Sequence, residues 1–294
     1  MDTASPDAPF EPVLHIETPA EPRLPLVFAS PHSGSHYPRD FLDQSPLDAN
    51  TLRRSEDAFV DELFVAAPEQ GAPLLKALFP RAYLDPNREA YELDPAMFDG
   101  PLPPFVNSAS PRVGAGLGTI ARVVASGAEI YRDKLSFTEV ESRIDRLYRP
   151  YHRALADLLE QTRTRFGYCI LIDCHSMPST GGPNDKDSGA SRVDFVLGDC
   201  FATSCSPAVT ATAEATLRRF GYRIVRNTPY AGGFTTRHYG APTKGLHALQ
   251  IEINRRLYMD EKTYVKRPGF TRLQGHLSSL VRDLAALPPD KLQP

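Results

Sequence analysis

The stretch YCILID (168–173) is an almost unbroken apolar run that stops at Asp173. A strand with one wet face alternates apolar and polar residues. A run without that alternation fits a strand covered on both faces, as in the parallel sheets of α/β proteins. Other segments extend the pattern. LPLVFAS (24–30) predicts a first buried strand ended by Pro31, and APLLKALF (72–79) and AYLDPN (82–87) read as extended. DFVLGD (194–199) reads as a strand beside YCILID, and RIVRN (223–227) and HALQIEIN (247–254) as two more.

Helical patterns lie between these runs. Residues 56–67 place Phe59, Val60, Leu63 and Phe64 at helical spacing, opened by Glu56 and Asp57. Residues 138–166 form the longest pattern, with Thr138 and Glu141 as a capping box and Pro150 expected to kink or divide it. Ser206-Pro207 predicts a helix start, Gly221 its stop, and a last helix lies near 270–286. Strands alternating with helices give an α/β fold class. The Pro- and Gly-rich segments at about 89–119 and 176–193 are long for plain connections and are expected to be functional or mobile.

Composition excludes several classes. A net charge of −3 with both signs mixed gives no reason to expect nucleic acid or an anionic membrane as partner. No apolar run approaches the roughly 20 residues needed to span a bilayer. The acidic, proline-rich MDTASPDAPFEP lacks the basic and apolar parts of a secretory signal. We read residues 1–22 as a flexible leader and 23–294 as a single catalytic domain. Four cysteines in 294 residues are not a disulfide scaffold, and reduced thiols in a cytoplasm are the simplest reading.

The chemically capable residues fall where strands are expected to end, the place where open α/β sheets collect ligands. His32 follows LVFASP; Asp85, Asn87 and Arg88 follow AYL; Asp173 and His175 follow ILI; Glu252 lies inside LQIEIN. Each has a plainer reading. His32, with His36 four residues on, suits a surface turn, and His175 suits a core histidine tied to backbone groups. Two histidines at separate strand ends with carboxylates available also fit a zinc site of three protein ligands and an open position. The third ligand would be Glu56 or Asp57, although acidic residues are common in any first helical turn. Asp173 would accept a ring N–H from a ligating histidine. Glu252 shares one strand face with Gln250, opposite Leu249, Ile251 and Ile253, and there suits a general base or merely an edge strand. Arg88 and Arg237 with His238, in GGFTTRHYG, offer cationic or polar groups for a carboxylate, as more weakly do Arg122 and Arg132. Ser176 and Ser33 lack a G-x-S-x-G elbow, Cys174 lacks any nucleophile signature, and GAGLG (114–118) is no phosphate loop.

Taken in order, PHSG, SEDAFVDELF, DPNR, GLGTIARVVASGAEIY, YRPYHRAL, IDCHS, GGFTTRHYG and LQIEINRRLYMDE resemble the N-formylglutamate amidohydrolase (N-formylglutamate deformylase) family. That family is related to zinc carboxypeptidases and aspartoacylases. The resemblance implies a three-layer α/β/α sandwich around a mixed, mostly parallel sheet. It also implies zinc-dependent release of formate from N-formyl-L-glutamate, a late step of histidine degradation. Carried over by position, His32, Asp57 and His175 match the metal ligands, with Glu56 as rival to Asp57. Asp173 and Asp85 would support the ligands. Glu252 matches the general base. Asn87 and Arg88 match groups that hold the substrate carboxylate or polarise its carbonyl; Arg237, His238 and Arg122 are further candidates for binding a small anionic N-acyl amino acid. The zinc carboxypeptidases carry His-x-x-Glu at the first ligand site, whereas here Ser35 lies three residues after His32. A deacylase for another N-acyl amino acid, and a non-catalytic binding protein that keeps the fold, are the alternatives.

Overall fold

The computed structural model describes residues 11–182 and 187–292. The expected leader falls partly outside them; within its described part, β1 (Leu14–Glu17) forms a strand. The chain makes two compact units. One takes in His32–Glu56 and Ala77–Arg153 with the segment before Ile16; the other takes in Ile16–Pro31, Asp57–Lys76 and the chain from Ala154 on.

The second unit is built on the sheet. β2 (Leu26–Ser30), β3 (Leu74–Ala77), β4 (Cys169–Met177), β5 (Phe195–Gly198), β6 (Ile224–Arg226) and β7 (Leu246–Asn254) join β1 in the order β1-β3-β2-β4-β7-β5-β6. The pairs β2–β3, β2–β4, β4–β7 and β5–β6 are parallel and β5–β7 is antiparallel. The sheet is therefore mixed and mostly parallel, flanked by helices, as an α/β fold requires. All nine residues of β4 are buried, which is why its apolar run does not alternate.

One face of the sheet carries Leu26, Phe28, Leu74, Ile170, Ile172, Cys174, Leu249, Ile251 and Ile253 into a single apolar core. The helices Val60–Leu63, Pro207–Arg219 and Gly269–Ala285 add Leu63, Val209, Leu217, Leu277 and Leu280 to it. Ser206 caps the Pro207–Arg219 helix through the Ala208 amide, and Gly221 follows its end with φ +85°, both as the sequence indicates. Among the described residues, no helix is long and apolar enough to cross a membrane.

Four local readings change. DFVLGD does not flank β4: β7 does, and β5 lies beyond it. A parallel neighbour needs a long, usually helical crossover, and the described part of 178–194 contains no helix. The 56–67 helix starts only at Val60, because Phe59 adopts a left-handed φ of +64°, and it is further divided into Val60–Leu63 and Ala66–Gln70. AYLDPN is a turn, not a strand: the Tyr83 and Leu84 amides donate to the Pro80 carbonyl, and the Asp85 carboxylate accepts from the Asn87 amide. The long helix is capped by Ser136, which accepts from the Glu139 amide, rather than by Thr138. It runs as Phe137–Arg143, a π-turn at Ile144–Tyr148 and Arg149–Phe166. The π-turn lies directly before Pro150, which has no N–H to give back to that turn.

The first unit has a smaller core of Phe41, Leu52, Ala82, Ala121, Val124 and Ile130. Buried Arg143 organises one side of it, lying 3.9 Å over the Tyr83 ring and donating to the Tyr131 hydroxyl and the Tyr83 carbonyl.

Candidate active site

β4 and β7 run side by side in parallel with Asp173 opposite Gln250 and His175 opposite Glu252. The strand period of two sends these four polar side chains to the face away from Ile172, Cys174 and Ile251. β4 thus continues past Asp173 to Met177, and His175 lies inside the strand rather than after it.

His175 is buried between two carboxylates. Its Nδ1 lies 3.1 Å from Asp57 Oδ2 and its Nε2 lies 3.0 Å from Asp173 Oδ2. Burial opposes the imidazolium, but Asp173, Asp57 and Glu252 outweigh it and hold the pKa well above the usual range. The Asp57 carboxylate is fully engaged. Its Oδ1 accepts from Arg255 Nη2 at 3.0 Å and from the Ser176 hydroxyl at 3.2 Å. Arg255 Nε also donates to the Ser176 oxygen at 3.1 Å. Ser176 is therefore a link in a network, not a nucleophile. Cys174 packs in the core, where burial raises its thiol pKa well above normal.

Glu252 is oriented from the same strand. Gln250 Nε2 donates to its Oε1 at 2.9 Å, and Gln250 Oε1 accepts from the Gly233 amide at 2.6 Å. Gly233 opens the short helix Phe234–Tyr239. Gly198 of β5 makes room for this approach, since a Cβ there would sit 2.8 Å from the Gly232 nitrogen. Arg237 and His238 are exposed on that helix. Arg237 donates to the Gly232 carbonyl, and His238 stacks on Phe234 with centroids 4.8 Å apart.

In the other unit, His32 Nε2 lies 2.7 Å from Asp85 Oδ1. Asp85 also meets Arg81 Nε at 2.9 Å and Arg88 Nη2 at 3.4 Å. Burial would raise the Asp85 pKa, but Arg81, Arg88 and His32 together hold it well below the usual range. Arg88 gives Nε to the Leu117 carbonyl and Nη1 to the Asn87 carbonyl. Burial pushes its guanidinium down to about 9 against the pull of Asp85, so it stays a cation at neutral pH. Tyr148 and His152, from YRPYHRAL, hold the same loop through the carbonyls of Arg88 and Pro86. Glu56 points elsewhere: Arg53 grips both its oxygens, and the Tyr37 hydroxyl donates to one. Arg122 is held by Asp94 and Glu129, and His36 and Arg132 are exposed.

Among the described residues, His32, Asp57 and His175 form a buried group able to hold a metal ion. The donor set fits zinc: two imidazoles and a carboxylate, three ligands with one position open. Each ring has its Nε2 on an aspartate, the outer-sphere arrangement that orients a ligating histidine. The 3.1 Å between His175 Nδ1 and Asp57 Oδ2 is close to the edge of about 3.3 Å that a tetrahedral zinc with ordinary bond lengths requires. Arg255 and Arg81, which brace Asp57 and Asp85, are not among the residues singled out from sequence; an arginine directly after the apolar strand pattern LQIEIN was the one available signal for Arg255.

The sequence pattern of the N-formylglutamate amidohydrolase family matches residues 24–259. The chain is 30% identical to the N-formylglutamate deformylase of Pseudomonas aeruginosa over 243 residues, covering 82% of this chain and 84% of that one. It is 31% identical to the N-formylglutamate deformylase of Pseudomonas putida over 246 residues, covering 81% and 83%. The crystal structure of N-formylglutamate amidohydrolase from Ralstonia eutropha JMP134 superposes with a TM-score of 0.85 at 39% identity, over 92% of this chain and 96% of that one. With the matched pattern spanning all but the ends, the chain belongs to the N-formylglutamate amidohydrolase family.

Proposed function

We propose that the chain hydrolyses the formamide bond of N-formyl-L-glutamate to formate and glutamate, and that residues 23–294 work as one catalytic domain. His32, Asp57 and His175 hold one divalent ion, zinc by the chemistry of the donor set. When bound, the ion supplies Lewis acidity, making an adjacent water acidic and polarising the formyl carbonyl. Glu252, held in place by Gln250, takes the proton of the attacking water and returns it to the leaving nitrogen as the C–N bond breaks. Arg88 keeps N–H groups beyond its contacts with Leu117, Asn87 and Asp85, and these serve the oxyanion or a substrate carboxylate. Arg237, exposed on the Phe234–Tyr239 helix, supplies a second cation for a substrate with two carboxylates. Asn87, His238 and Arg122 are secondary candidates for substrate contact. The four free cysteines, three of them buried, suit a cytoplasmic enzyme.

The observation that carries this reading is the buried His–Asp–His group in a chain of this family. The test is formate release by zinc-loaded protein from N-formyl-glutamate, N-acetyl-glutamate and a formylated apolar amino acid. Preference for N-formyl-glutamate is expected, with loss of both zinc and activity in a folded His175→Ala protein. No formate from N-formyl-glutamate, or full activity and zinc content in His175→Ala, overturns it.

A further inference from the structure

Arg255 is a buried cation with no place in the reaction just described. It sits directly after β7 and turns its Nε and Nη2 toward one small target. Nε meets the Ser176 hydroxyl at 3.1 Å, and Nη2 meets Asp57 Oδ1 at 3.0 Å. Ser176 closes the ring by donating to that same Oδ1 at 3.2 Å. All three residues are buried. Two donors, one of them charged, thus occupy Oδ1, while Oδ2 faces His175 Nδ1. A carboxylate can bind a metal through one oxygen or two. With Oδ1 drawn into charge-assisted hydrogen bonds, Oδ2, on the side of His175 Nδ1, is the oxygen better placed to bind an ion.

We infer that Arg255 is a positioning residue that restricts Asp57 to one-oxygen ligation and so keeps a coordination position open for water and substrate. Arg255 touches neither the ion nor the substrate. It acts through Asp57, and the Ser176 hydroxyl extends its reach across the oxygen. The inference rests on Asp57 being a metal ligand, as proposed above. If the brace is removed, Oδ1 is free to turn onto the ion. The coordination number then rises, and the open position is lost to the protein's own carboxylate.

The test uses full-length protein loaded with Co(II), whose visible absorption is strong in four-coordinate sites and weak in five- or six-coordinate ones. Wild-type protein is expected to show the strong spectrum. Arg255→Gln is expected to bind Co(II) with a severalfold weaker band and, loaded with zinc, to lose about 10- to 100-fold in kcat with little change in KM. Arg255→Lys keeps the charge but cannot span both oxygens, and should shift the spectrum in the same direction by less. It decides the matter if the glutamine variant does not fold. A wild-type spectrum in the folded variant overturns the inference while leaving the metal site intact. Failure of the wild-type protein to bind Co(II) overturns the metal reading and this inference together.

Discussion

Gln250 binds Glu252 from two residues away on the same strand, its Nε2 2.9 Å from the carboxylate, while its own oxygen takes the Gly233 amide. The amide cannot flip without placing oxygen against oxygen and N–H against N–H, so its orientation is fixed at both ends. Gln250→Met keeps the bulk and removes both bonds. A hydrogen bond to a charged group contributes about 1.5–3 kcal/mol. If that bond orients the base, kcat should fall at least tenfold with KM nearly unchanged, as steady-state kinetics on N-formyl-glutamate will show. An unchanged kcat would mean that Glu252 is held by its other surroundings.

Asp173 and Asp85 do similar work for the two histidines but differ in what else they carry. Asp173→Asn retains an oxygen that can accept from His175 Nε2, so the fold should survive. The weaker acceptor should lower metal affinity by about 10- to 100-fold, read by competition with a chelator. Asp85→Asn also strips the carboxylate from buried Arg88 and from Arg81. Leaving a buried cation without its partner costs about 3–5 kcal/mol, so this variant should melt well below the Asp173 variant. Equal melting temperatures for the two would contradict that division.

Local chemistry made much of this legible. β2, β4 and β7 announce themselves because a strand covered on both faces has nothing polar to interrupt it until the site begins. The alternation of Gln250 and Glu252 against Ile251 and Ile253 gave the polar face directly. Where the reading failed, a long-range partner outweighed local pattern. The 56–67 segment has helical spacing, yet Asp57 is turned toward His175, 118 residues on, and the chain passes through left-handed Phe59 before a helix can start. Arg255 lies 198 residues from Asp57, and nothing local marks that pair. Two misreadings were avoidable. Ser136, two residues before Thr138, is an equally good N-cap type and takes the Glu139 amide, and Asp85-Pro86-Asn87 is turn chemistry that a strand assignment overlooks.

Gly34 closes the PHSG motif because no side chain fits there. A Cβ at this position would lie 2.1 Å from the Phe79 carbonyl oxygen and 2.7 Å from the Leu78 carbonyl carbon, both backbone atoms that cannot swing aside. Gly34→Ala must therefore displace the segment that carries His32. Overpacking of this kind costs about 1–3 kcal/mol, and both the thermal midpoint and the metal content of the purified variant should drop. An alanine variant with wild-type stability and metal content would show that this segment tolerates displacement.

His247 ties three distant parts of the sheet unit together and sets a pH limit on its stability. At the start of β7, its Nδ1 accepts from the Ser206 amide at 3.0 Å, and its Nε2 donates to the Leu292 carbonyl at 2.8 Å. Those partners demand the neutral ring with the proton on Nε2; a second proton would break the bond to Ser206, the cap of the Pro207–Arg219 helix. Burial lowers the His247 pKa, against the Leu292 carbonyl, which favours the charged form. With a folded pKa below the ordinary value of about 6.5, the unfolded chain binds the proton first as pH falls. This contribution to stability is therefore complete above about pH 6.5 and is lost as pH falls from there toward the folded pKa. Denaturation midpoints at pH 5.5 and 7.5 should differ more for the wild type than for His247→Gln, and hydrogen exchange at the Ser206 amide should quicken on acidification. Equal pH slopes for the two proteins would remove His247 from the account.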